Sequence, residues 1–199
     1  MRTIAKPARE RTLTRRTCLG VILLFVLNIL AAPSGRAQEA VILEEQVKAA
    51  FLYNFVRFVE WPQSAFTSES APITIGVLGN DEFATRLATL LKEKKAHSRS
   101  FDVKKLGNPS EATGCQMIFV AQSESKKATQ VVEATKKQPA LLVGETDDFL
   151  DNGGIINFVR DNNQLRFDIN PKAAEDRKLV ISSHLLRLAR KTKNAGGVQ

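Results

Sequence analysis

The 199 residues, 43% of them apolar, suffice for one domain with a real core, and two cysteines are too few for a scaffold built on disulfides. The formal charge of +8 points first to nucleic acid, but seven of the 29 basic residues and one of the 21 acidic ones lie in residues 1–37. The remainder carries +2 and has no basic stripe interleaved with aromatics, which excludes a nucleic-acid footprint.

Residues 1–37 have the order of an export leader. Arg2, Lys6, Arg9, Arg11, Arg15 and Arg16 precede an apolar run from Leu19 to Ala32, broken by Gly20 and Asn28. Pro33-Ser34-Gly35-Arg36-Ala37 then supplies small residues before a cut after Ala37. The run is shorter than the ~20 apolar residues of a spanning helix, so the expectation is a cleaved signal peptide, 1–37, with no retained membrane span. The route is Sec export or, given Thr14-Arg15-Arg16-Thr17-Cys18-Leu19, twin-arginine export. The compartment is then the periplasm. Cys18 leaves with the leader, and Cys115 stays alone. It opens an apolar run to Ala121, and reads either as a buried inert thiol or as one half of an intermolecular bridge.

Residues 38–193 read as a single domain, with 194–199 a frayed tail. Glu44–Glu60 reads as a helix that is apolar nearly all round, hence buried on several sides, and Pro62 stops it. Ile73–Leu78 is an apolar strand ending at Gly79-Asn80-Asp81. Asp81 caps a helix, Glu82–Lys92, with Phe83, Leu87, Leu90 and Leu91 on its inner face. Phe101–Leu106 alternates as a strand, and Gln116–Val120 is a second buried strand. Ser123 or Ser125 caps a helix to Lys137, and Ala140–Val143 is a third buried strand.

Ile155–Arg160 and Gln164–Ile169 alternate with period two around Asp161-Asn162-Asn163, the pattern of a β-hairpin. Gly153-Gly154 supplies positive φ before it. Pro171 starts a short helical turn, and Ser182 or Ser183 caps a last helix with Leu185, Leu186 and Leu188 inward. The fold class is α/β: one three-layer domain, a mostly parallel sheet flanked by helices, with a C-terminal antiparallel hairpin.

No metal-ligand spacing, nucleophile elbow, phosphate loop or cofactor motif is present, and no catalytic residue is assigned. Asp147, Asp148 and His184 are the best catalytic candidates and share no motif. Turn chemistry accounts for Asp147-Asp148 and Asp151 better than a metal does. His97 reads as solvated. Tyr53, Asn54 and Trp61 read as core packing with satisfied hydrogen bonds, or as a binding surface. The candidate partner- or ligand-binding residues are Gly79 and Asn80, at a strand-to-helix loop where α/β folds bind ligands, and Asn157 and Arg166 on the hairpin.

Two ordered blocks then carry a family likeness. Ala49-Ala-Phe-Leu-Tyr-Asn-Phe-Val-Arg-Phe-Val-Glu-Trp-Pro62 resembles the opening signature of the YfiR family. Gly153-Gly-Ile-Ile-Asn-Phe-Val, Leu165-Arg-Phe-Asp-Ile-Asn170 and Leu179-Val-Ile-Ser-Ser-His-Leu-Leu-Arg-Leu-Ala189 resemble its C-terminal half. The resemblance covers roughly residues 45–190. It implies a periplasmic, non-enzymatic repressor that binds the external sensing domain of an inner-membrane diguanylate cyclase, restrains cyclic di-GMP synthesis, and can form a homodimer. Better-known relatives carry cysteine pairs linked to redox state, and this chain keeps only Cys115. The alternative is a periplasmic small-molecule sensor serving another membrane receptor, with its pocket between the Gly79-Asn80-Asp81 loop and the face around Asn157 and Arg166.

Overall fold

The computed structural model describes residues 34–162 and 164–193, with the side chains of 34–38 and 40 outside it. Leader residues 1–33, including the paired arginines and Cys18, the loop residue Asn163 and the tail 194–199 lie outside the described residues. Among those described, no helix is long and apolar enough to cross a membrane.

The first helix, α1, spans Ser34–Phe58. Leu43 opens one compact unit that takes in the described residues after it, and the helical residues before it fall in a separate unit. From Leu43 onward, Ala49, Leu52, Phe55 and Val56 repeat at three- and four-residue steps and are buried. The helix stops earlier than its apolar period suggests, because Val59–Glu60 straighten into β1 and pair with Val180–Ile181, β8, in an antiparallel ladder.

The main sheet has six strands in the order β3-β2-β4-β5-β6-β7. These are β2 (Ile73–Leu78), β3 (Phe101–Leu106), β4 (Met117–Val120), β5 (Leu141–Gly144), β6 (Ile156–Asp161) and β7 (Gln164–Ile169). All neighbours run parallel except β6 and β7, the expected hairpin, in which Asn157 faces Asp168 and Val159 faces Arg166. Strands β2, β4 and β5 are buried on both faces, as continuous apolar runs require in a covered parallel sheet. Strand β3 does not alternate in burial: it is an edge strand, half-buried at Phe101–Val103 and exposed at Lys104 and Lys105.

Helix α2 (Asp81–Leu91) joins β2 to β3, and α3 (Ala128–Ala134) joins β4 to β5. The first crossover runs toward one edge of the sheet and the second toward the other. Right-handed connection therefore puts the two helices on opposite faces, giving three layers. The helix expected from Ser123 or Ser125 to Lys137 is instead a 3-10 turn, Gln122–Lys127, followed by the short α3, and neither serine caps it.

On the α1–α2 face an aromatic chain crosses the sheet. Ring centroids lie 5.3 Å apart for Phe83 and Phe119, 6.2 Å for Phe119 and Phe158, 5.7 Å for Phe158 and Phe55, and 5.0 Å for Phe55 and Phe167. Near the hairpin, Gly153 has the expected positive φ of 93°. Gly154 is required for space instead: a Cβ there would lie 2.2 Å from the Phe149 ring.

The chain ends with α4 (Pro171–Asp176), β8 and α5 (Ser183–Leu188), the last capped by the Ser182 hydroxyl accepting from the Leu185 N–H at 3.2 Å. Buried Arg177 donates to the carbonyls of Thr135 at 2.6 Å and Val132 at 3.0 Å, closing the end of α3. Residues 190–193 run along the outer edge of β7: the Arg190 N–H bonds the Phe167 carbonyl, and the Lys193 N–H bonds that of Ile169.

Candidate functional site

The loop after β2 was the first candidate site, and protein groups occupy it. It lies where the strand order reverses, between β2 and β4, the usual ligand crevice of an open α/β sheet. Gly79 has φ 91°, and its carbonyl accepts from the Ser123 hydroxyl at 2.8 Å. A Cβ on it would meet Glu124 Cγ at 2.5 Å, so the crevice is closed by the loop after β4. The cap of α2 is Asn80 and not Asp81, because Asn80 Oδ1 accepts from the Phe83 N–H at 2.8 Å. Asn80 Nδ2 donates to Glu45 Oε1 at 3.2 Å, and the other Glu45 oxygen accepts from Arg86 Nε at 2.6 Å. These residues fasten α1 to α2.

The hairpin candidates separate. Asn157 is buried, and its Oδ1 accepts from the Thr146 N–H at 3.1 Å, tying β6 to the loop after β5. Arg166 is exposed on β7 and lines a cleft with Phe51, Asn54, Phe58 and His184. The structure does not bring Gly79, Asn80, Asn157 and Arg166 together around one pocket.

Beside the strand ends, an open cleft of about 420 Å³ is lined by Glu44, Lys48, Gln122, Glu145, Asp147 and Arg160 among others. Lys48 Nζ lies 2.5 Å from Glu145 and 3.1 Å from Glu44, and Arg160 pairs with Glu44. Burial alone would push the Glu44 carboxyl up, but Lys48 and Arg160 outweigh it and hold it below the ordinary carboxylate value. Burial likewise disfavours the Lys48 charge, and Glu145 and Glu44 together raise its pKa regardless. The basic and acidic groups here largely neutralise one another.

Asp147 and Asp148 line a smaller neighbouring cleft with Gln122, Ser125 and Glu145, whereas His184 lies against the Phe58 ring in a different one. Asp148 Oδ2 accepts from Asn152 within the turn before β6. Among the described residues no group of three His, Cys, Asp or Glu side chains is placed to hold a metal.

His97, Tyr53 and Trp61 are engaged by backbone. His97 is exposed at its surface, yet Nε2 lies 2.8 Å from the Val56 carbonyl, one of those that the end of α1 leaves without a helical partner. Trp61 Nε1 donates to the Gln116 carbonyl at 3.1 Å, and Tyr53 Oη donates to that of Lys95 at 3.3 Å. Cys115 is buried against Gly76, and burial pushes its thiol pKa up, which disfavours the reactive thiolate.

The outer face of α1 is where apolar groups remain uncovered. Leu43 is 62% exposed and Val47 39%, and they continue through Ala50 to Asn54 along one stripe. The expectation that α1 is buried on several sides therefore fails along this line. Leu90 and Leu188, both read as inward, are 44% and 54% exposed on either side of it. A cleft of about 290 Å³ runs between α1 and α2, lined by Gln46, Ala49, Ala50, Tyr53, Asn54, Leu90, Leu91 and Lys94. A second, also about 290 Å³, lies between α1, β7 and α5, and Asn54 borders both. Among the described residues no acidic side chain lines either cleft. Arg57 sits 5.7 Å from the Tyr53 and Phe58 rings, and Lys94 5.2 Å from Tyr53. A hint was present in the sequence: adjacent leucines 90 and 91 point about 100° apart on a helix, so both cannot centre one face.

Comparison with known proteins gives one family match. The model described as YfiR/HmsC-like (DUF4154) matches residues 45–190. No curated protein matches the chain. Among solved structures, a conserved domain protein from Vibrio cholerae O1 biovar El Tor is similar at 18% identity and TM-score 0.46, over 61% of this chain and 55% of that one. An ABC domain from Streptococcus pneumonia, solved with L-Trp, is similar at 16% identity and TM-score 0.43, over 60% and 55%. The chain thus spans little more than half the length of either.

Proposed function

The chain belongs to the YfiR/HmsC-like family, and from that membership we propose that it is a periplasmic regulator, without catalysis of its own, that restrains an inner-membrane diguanylate cyclase. The observation that carries this reading is the family match across residues 45–190, nearly all of the domain that holds the sheet. In this reading the leader is cut after Ala37, residues 38–193 act as one exported domain, and its output crosses the membrane through the receptor. The domain binds the inactive shape of the receptor's external half more tightly and so shifts its population. A near-complete switch needs a preference of about 5 kcal/mol. Formation of a homodimer fits the same proposal.

The uncovered stripe on α1 supports a binding role over a catalytic one, because its residues offer shape and apolar surface rather than acid–base or nucleophilic groups. The small-molecule reading has less support, since Ser123 and Glu124 pack against the Gly79 loop and Thr146 engages Asn157.

Deleting the gene and measuring intracellular cyclic di-GMP tests the proposal. The expected result is a rise, reversed when the full chain with its leader is supplied again. An unchanged level across several growth conditions would sink it.

A further inference from the structure

We infer that the α1 face docks one amphipathic helix of the receptor's external domain, with an apolar stripe and carboxylates at the end that meets Arg57 and Lys94. The inference rests on the regulatory reading above and names the contact by which restraint is exerted.

The shape argues for a helix. Contacts between Glu45 and Asn80 and between Tyr53 and Lys95 show α1 and α2 lying side by side in the same direction, with a trough between them. From Leu43 to Asn54 the stripe is about 17 Å long, three turns of a helix laid along it. A trough between two helices is filled by a ridge of side chains spaced three and four apart, the helix-in-groove mode. A bilayer surface would instead meet protruding apolar groups, and here Ala49 and Ala50 form a concave floor.

Charge argues for acidity. Among the described residues neither cleft along the stripe is lined by a carboxylate. The guanidinium of Arg57 and the ammonium of Lys94 lie over aromatic rings, and among the described residues neither forms a salt bridge. Exposed Arg166 adds a third cation beside the second cleft. A second copy of this chain would bring the same acid-free stripe and would oppose cations with nothing complementary. A partner helix with Asp or Glu at that end meets Arg57 and Lys94.

The experiment places p-benzoylphenylalanine at Gln46 or Leu90 in the full chain, with Lys136 on the other helical layer as control, in cells that make the receptor. Light-induced adducts are then mapped by mass spectrometry. The expected adducts from positions 46 and 90, absent from 136, fall in an acidic helical segment of a membrane receptor's external domain. Arg57→Glu lowers their yield about tenfold while the purified domain keeps its far-UV circular dichroism spectrum. Adducts to a second copy, to lipid or to a basic segment, or no adduct at all, overturn the inference. The cyclic di-GMP measurement reads the regulatory proposal separately. A rise on deletion with adducts elsewhere defeats the docking surface alone. Adducts to an acidic helix of a receptor that makes no cyclic di-GMP defeat the regulatory reading alone.

Discussion

Lys48 joins three elements through one ammonium group. It leaves α1, meets Glu145 after β5 and, through Glu44, reaches Arg160 on β6. Its side chain is 14% exposed and that of Glu145 15%, so solvent screens the pair only in part. Replacing Lys48 by Met takes the counter-charge from Glu145 and leaves Glu44 to Arg160 alone, and we expect a loss of about 2 kcal/mol, below the cost of breaking a fully buried pair. Thermal unfolding then shifts down by about 4–8 °C, and an unchanged Tm would contradict the role. The same cluster sets an acid limit. Because the folded Glu44 has a pKa below its ordinary 4.5, its contribution is present above that value and is lost as pH falls through the lower folded one. Wild type should therefore lose stability on acidification over a wider span than Glu44→Gln, measured as Tm against pH.

At the scale of elements, Asn80 is the cap of α2 and a fastener to α1. Asn80→Ala should cost about 1 kcal/mol, the usual price of a lost cap, while leaving restraint of cyclic di-GMP intact. Loss of restraint at normal stability would return this loop to the functional surface. Strands β2, β4 and β5 were legible because continuous apolar runs ending in Gly or small residues leave few other readings. Boundaries set by distant partners were not. Val59–Glu60 fit helical spacing and become strand because Val180–Ile181 lies alongside. Of the four candidate residues, Gly79 and Asn80 stand at a strand-to-helix loop, and Asn157 stands on a paired strand of the hairpin. Nothing local reveals that Ser123, Glu45 and Thr146, from other elements, take up their polar groups. Leu90 and Leu188 keep the inward period, but among the described residues no element packs over them.

For the whole molecule, the mostly parallel order and the terminal hairpin followed from alternation of runs, and right-handed crossovers then leave little freedom in the layers. With one aromatic chain running through the face shared by α1 and α2, residues 38–193 should unfold in urea as one transition. Fluorescence of Trp61, the sole tryptophan, and far-UV circular dichroism should give the same midpoint; separated midpoints would divide the domain. The β1–β8 ladder carries a further consequence, in time rather than space. Val59 is made long before Ile181, and the Ser182 N–H bonds the Phe58 carbonyl only once both exist. Contacts that close so long a stretch of chain slow folding. Phe58, which packs on His184, must therefore remain without its final cover until β8 and α5 have been made, so a segment made before the sheet is completed only after it and is the one most in need of a chaperone during synthesis.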